Sequence, residues 1–99
     1  MADPDAYGGL FTRAAQDQDP AVAVAGAAAV ARNVDFESGC RQLAESLKND
    51  SSFIQYAAVL ELDEFGPKAI RIARPEIEAL GKNEYSGRLA THALSQISD

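Results

Sequence analysis

The chain holds one cysteine, one histidine and one methionine, and no tryptophan, in 99 residues. A lone cysteine excludes an internal disulfide and leaves the redox compartment open. A lone histidine, His92, makes a histidine-built zinc site unworkable, and no cysteine or carboxylate stands three or four residues from it to complete one. No apolar run reaches the about 20 residues that span a bilayer, so membrane insertion is not expected. No basic segment followed by an apolar one opens the chain, so a targeting signal is expected to be absent or already removed. No stretch alternates with period two for long enough to suggest a strand. The length fits one domain with a modest core.

Positive charge is also scarce. The net charge is −6, which argues against nucleic acid as a partner because phosphate binding needs a basic face. The imbalance is local: residues 1–65 carry eleven acids against Arg13, Arg32, Arg41 and Lys48. Residues 66–99 carry Lys68, Arg71, Arg74, Lys82 and Arg88 against four acids. A solvated face is the ordinary reading of such basic residues, and a basic docking patch the sharper one.

What is present is helical patterning. "DPAVAVAGAAAVAR" at 19–32 contains seven alanines, three valines and one glycine, with no charge between Asp19 and Arg32. Asp19-Pro20 is an N-cap followed by proline at the first helical position, where a missing N–H costs nothing. Asp35 can cap a helix striped by Cys40, Leu43, Ala44 and Leu47. Ser51 or Ser52 can open another, which Gly66-Pro67 stops. Ile70, Ala73, Ile77 and Leu80 mark a further helix, with Pro75 inside it to kink it or split off its first turn. Leu89, Ala90, Ala93, Leu94 and Ile97 stripe the last, and Ala6, Tyr7, Leu10, Phe11, Ala14 and Ala15 the first. The expected core is Leu43, Leu47, Ile54, Ala58, Leu62, Ile77, Leu80, Leu89, Ala90 and Leu94.

A shift of 32 residues lays Asp19-Pro20-Ala21-Val22 on Ser51-Ser52-Phe53-Ile54 and on Asn83-Glu84-Tyr85-Ser86. The same shift lays Ala25, Gly26 and Val30 on Ala57, Ala58 and Leu62, and these on Leu89, Ala90 and Leu94. Repeats of this period made of helix pairs stack into α-solenoids. The reading is therefore all-α: three antiparallel pairs, 5–16 with 20–32, 36–48 with 51–65, and 68–81 with 84–97. The second helix of each pair touches its partner and its neighbours, so it is apolar on more than one face. Ile54, Ala57, Ala58, Leu62 and Phe65 form one stripe of the helix at 51–65, and Tyr56, Val59 and Leu60 form another. The alanines of 19–32 are the same pattern in smaller residues.

"DPAVAVAGAAAVAR", "DSSFIQYAAVLELDEFG" and "NEYSGRLATHALSQI" resemble second helices of HEAT-like repeats, and "GPKAIRIARPEIEALGKN" resembles a first helix with its internal proline. The resemblance covers nearly the whole chain and implies a short right-handed α-solenoid, with pairs 5–32, 36–65 and 67–97 in one domain. Residues 47–97 are, more narrowly, similar to the helical tail that follows the catalytic domain of bacterial arylsulfatase-type enzymes. Those tails favour an aromatic-Val-Arg entry into their helices, where this chain has Phe53-Ile54-Gln55 and Tyr85-Ser86-Gly87. The similarity implies an accessory domain, periplasmic or extracellular, packed on a catalytic domain. A free-standing adaptor would instead be expected in the cytoplasm.

The chain shows no catalytic constellation of its own. Cys40 is followed by Arg41-Gln42-Leu43-Ala44, which lacks the proline and second arginine of a formylglycine motif, and it sits on an apolar stripe like a structural cysteine. Glu61, Asp63 and Glu64 form a carboxylate cluster at a helix end, read as solvated rather than as an acid–base pair. Gly8-Gly9 lacks the spacing of a phosphate loop. No cofactor or metal is implied. Two functions follow: a non-catalytic interaction module, or less favourably a small metal-binding or enzymatic domain with a site spread over helix ends. In the first, the flank of helix 20–32 lacks an earlier pair to cover it. Val24, Ala27, Ala28 and Ala31, bordered by Tyr7, are then the expected contact patch for the chain's own catalytic domain or a second copy. At the other end the shift turns Tyr56, Val59 and Leu60 into Arg88, Thr91 and His92, the polar outer side that a terminal repeat needs.

Overall fold

Two capped, alanine-tolerant helices of equal length organise the chain. The structure, a computed structural model, describes residues 4–83 and 86–97, without the side chains of residues 4–8 and 11. The described residues form α1 (Pro4–Ala15), α2 (Pro20–Asn33), α3 (Phe36–Ser46), α4 (Ser52–Phe65), α5 (Pro67–Ile72), α6 (Arg74–Leu80) and α7 (Gly87–Leu94), then a 3-10 turn at Ser95–Ile97, with no strand among them. The fold class is all-α, as the periodicity implies.

The caps act as the sequence suggests. The Asp19 carboxylate accepts from the Ala21 N–H, that of Asp35 from the Ser38 N–H, and the Ser51 hydroxyl from the Ile54 N–H. Gly66, at φ 96°, turns the chain out of α4 before Pro67 opens α5.

Two boundaries differ from the expected ones. The helix at 68–81 is two helices that part at Ala73, so Pro75 separates six residues rather than one turn. Proline lacks the N–H that would bond the Arg71 carbonyl, and its ring crowds that carbonyl, so the break falls before it. The last helix begins at Gly87 rather than at 84, and Glu84 and Tyr85 lie outside the described residues.

Packing runs between consecutive helices, α1 on α2, α2 on α3, α3 on α4 and α4 on α5, and between α2 and α4 and between α4 and α7. One continuous core joins Val24, Ala27 and Ala31 of α2 to Leu43 of α3, Leu62 of α4, Ile70 of α5, Ile77 of α6 and Ala90 of α7. Eight of the ten expected core residues are buried, while Leu89 and Leu94 are half-buried against the cluster. Phe36 meets Phe65 edge to face at 5.7 Å, with the Arg32 guanidinium over Phe65 and the Lys68 ammonium over Phe36.

The smoothness of 19–32 has a steric cause at Gly26 and a counterpart at Gly39. A Cβ on Gly26 would collide with the backbone of Ala14 and Ala15, and one on Gly39 with the backbone of Ala27 and Ala31. Helix α2 is thus pressed backbone to backbone from both sides, by α1 and by α3. Alanines are what such spacing admits.

Candidate interaction surface

The expected contact patch is not on the surface. Val24, Ala27, Ala28 and Ala31 are all buried within the monomer, at 7% exposure or less. The side chain of Tyr7 lies outside the described residues. That flank of α2 is closed by the surrounding helices, with Val24, Ala27 and Ala31 inside the common core. The residues that α2 does expose are Pro20, Ala21, Val22 and Ala25, followed by Arg32 and Asn33.

Of the large exposed apolar residues among the described ones, Leu10 lies on α1, Val22 on α2 and Val34 just after it, while the other three share one helix. On α4, Phe53 is 72% exposed, Tyr56 50% and Leu60 40%. Their spacing of three and four residues aligns them along one face. The opposite face buries Ile54, Ala58 and Leu62. Of the second stripe expected to pack on neighbouring helices, only Val59 is buried. The flanks of the stripe are fixed by polar contacts. Toward α2, Glu61 accepts from the Arg32 guanidinium at 2.9 Å. Toward α7, Asp63 accepts from the Gln96 amide through its backbone carbonyl at 3.0 Å and through its carboxylate, with the His92 imidazole 3.9 Å away. The carboxylates 61, 63 and 64 are therefore not one solvated cluster. Two of them tie α4 to its neighbours and Glu64 stays exposed.

A small cavity of about 310 Å³ between Phe53, Tyr56, Ser52 and Ser86 extends the apolar stripe toward α7. Ser86 is itself buried, and its hydroxyl donates to the Gln55 side-chain carbonyl at 3.0 Å, while the Gln55 amide donates to the Asn49 carbonyl at 2.7 Å. This polar tie holds the start of α7 against the start of α4. No motif in the sequence marks it, because glutamine and serine at those positions read as surface. Beyond the cavity the exposed face of α7 is polar, with Arg88, Thr91 and His92.

The remaining candidates take ordinary places. Gly8-Gly9 lies inside α1. The basic residues after 65 are spread over α5, α6, the 81–83 turn and α7, with Arg74 paired to Glu78 at 2.6 Å and Lys68 over Phe36. Among the described residues no group of three His, Cys, Asp or Glu is placed to hold a metal ion, and no helix is long and apolar enough to cross a membrane.

Cys40 is wholly buried. Burial pushes its thiol from 9.0 to about 11, with the Lys68 ammonium partly opposing the rise. At pH 8 the folded chain should therefore react negligibly with a soluble aromatic disulfide, and promptly once unfolded. The unfolded thiol loses its proton first, so stability should fall as the pH rises above 9.0 toward 11. Fast labelling of the native protein would contradict this placement.

Compared with protein-family models, with characterised proteins and with solved structures, the chain matches none.

Proposed function

We propose that the chain is a non-catalytic helical-repeat interaction module whose contact surface is the exposed face of α4. The observation that carries this reading is the alignment of Phe53, Tyr56 and Leu60, three large apolar side chains open to solvent on a helix whose other face is core. Exposed apolar stripes of this kind, edged by charge, mark contact sites on soluble domains. The α-solenoid reading is supported by the equal lengths of α2 and α4, 32 residues apart at both ends, and by the contacts between α2 and α4 and between α4 and α7. It is supported too by a shortest dimension of 16 Å across Cα positions, about the depth of two helix layers. In such an array the second helices share one outer face, which is where solenoids take their partners.

As the resemblance implies, one partner of this kind is the catalytic domain of a sulfatase-type hydrolase carrying the chain as its accessory domain. The alternative is a free-standing adaptor. A photo-activated cross-linker placed at Phe53 in the native cell should give a covalent protein adduct. The same group at Arg74, exposed on α6, should give none. An absence of adducts at Phe53, or equal labelling at both positions, would overturn the reading. The genomic reading frame decides between the two partners: a formylglycine motif upstream favours the hydrolase.

A further inference from the structure

We infer that the face formed by α2 and α4 pairs with the same face of a second copy of this chain, the large side chains of each α4 seated on the alanines of the other copy's α2. This rests on the contact-face reading above and names its occupant. Helices α2 and α4 are each 14 residues long and 32 residues apart in sequence. They lie side by side with their ends level. The Arg32–Glu61 pair joins their C-terminal ends at 2.9 Å, and one surface pocket is bordered by Pro20 and Ala23 of α2 and by Ile54 of α4 at their N-terminal ends. Each turns one stripe to solvent. On α4 it is large, Phe53, Tyr56 and Leu60; on α2 it is small, Ala21 and Ala25, with Ala29 half-buried. Val22 borders it at 40% exposure.

Large beside small on one face is self-complementary under a two-fold axis. An axis lying in the face, along the groove between the helices, carries α4 of one copy onto α2 of the other and leaves levels along the helices unchanged. Phe53 then meets the level of Ala21, while Tyr56 and Leu60 fall one residue, about 1.5 Å, before Ala25 and Ala29. The contact is isologous and closes after two copies.

The charges match under the same operation. Glu64 is exposed and makes no ion pair among the described residues, and Arg32 keeps half its side chain exposed beyond its contact with Glu61. The two stand 32 residues apart, at the same level of their helices. The two-fold therefore sets each Glu64 over the other copy's Arg32, twice. An axis across the helices would instead stack α4 on α4 and place no cation against Glu64. The outline of two helices about 21 Å long and about 10 Å apart is roughly 400 Å² per copy. That lies at the weak end of specific interfaces, so a reversible dimer is expected rather than an obligate one.

Sedimentation velocity on the whole chain between about 10 µM and 1 mM tests this. The parent should shift from monomer toward dimer over that range. Tyr56→Glu should stay monomeric. Ala25→Tyr, which leaves the α4 stripe intact but fills its seat, should also stay monomeric. Glu64→Arg and Arg32→Glu should each weaken association about tenfold or more when alone, because each sets like charges together twice. Mixed in equal amounts they should recover a dimer, since every contact in the mixed pair then joins an arginine to a glutamate. A parent that is monomeric throughout overturns the inference, as does a dimer that survives Ala25→Tyr or a mixture that associates no better than its parts. A monomeric parent that still cross-links a different protein from Phe53 removes the second copy as occupant while keeping the contact face.

Discussion

Gly39→Ala is expected to destabilise the chain by about 1–3 kcal/mol, and Gly39→Val by more. At an exposed helical site glycine to alanine is worth roughly 0.5–1 kcal/mol of added stability, so the expected sign is reversed here. The reason is the approach of α3 to α2. The added Cβ would meet the backbone of Ala27 and Ala31, which cannot rotate aside as a side chain does. Helix α3 would have to withdraw, loosening Cys40, Leu43 and Ala44 from the core they share with Val24, Ala27 and Ala31. Urea denaturation followed by circular dichroism reads the effect as a fall in midpoint. A Gly39→Ala variant as stable as its parent would mean that the two backbones do not meet.

Leu62→Ala should cost roughly 2–5 kcal/mol. Leu62 is fully buried in the core cluster that gathers residues from α2 through α7. Removing its branched end would leave a cavity in the core shared by α2 through α7, around which the packing relaxes only in part. For a chain of this size such a loss is a large share of the total stability.

The helices were legible because their signals are local. Asp19-Pro20 and Ser51 announce α2 and α4 within a residue, and Gly66-Pro67 ends α4 where expected. The stripe of α3 and most of the core followed from apolar spacing of 3.6 residues per turn. What failed was the phase of α2. A helix of alanine and valine is apolar on every side, so its pattern cannot say which side faces in. A 32-residue shift that preserved orientation would pair Val24 with Tyr56 and Ala28 with Leu60. In the fold these mates have opposite fates: Val24 and Ala28 are buried, Tyr56 and Leu60 exposed. Helix α4 is turned about its own axis relative to α2, whereas α7 keeps the phase of α4, with Ala58 and Ala90 both buried and Tyr56, Leu60, Arg88 and His92 exposed. Repeat register therefore fixes level along the helix, and neighbours fix the face. The exposed apolar stripe lies on α4, and the alanines that α2 leaves exposed are Ala21 and Ala25. The Gln55–Ser86 tie depends on two buried polar residues that no periodicity distinguishes from surface ones.

Helix α4 gives one face to the core and leaves the opposite face, with Tyr56, open to solvent. Comparing the urea midpoint of Tyr56→Glu with that of Leu62→Ala, both at low micromolar concentration, tests this division most directly. Tyr56→Glu should unfold within about 0.5 kcal/mol of the parent, as surface changes do, while Leu62→Ala should fall steeply. A Tyr56→Glu variant that loses as much stability as Leu62→Ala would place Tyr56 in the fold's own packing and contradict that division.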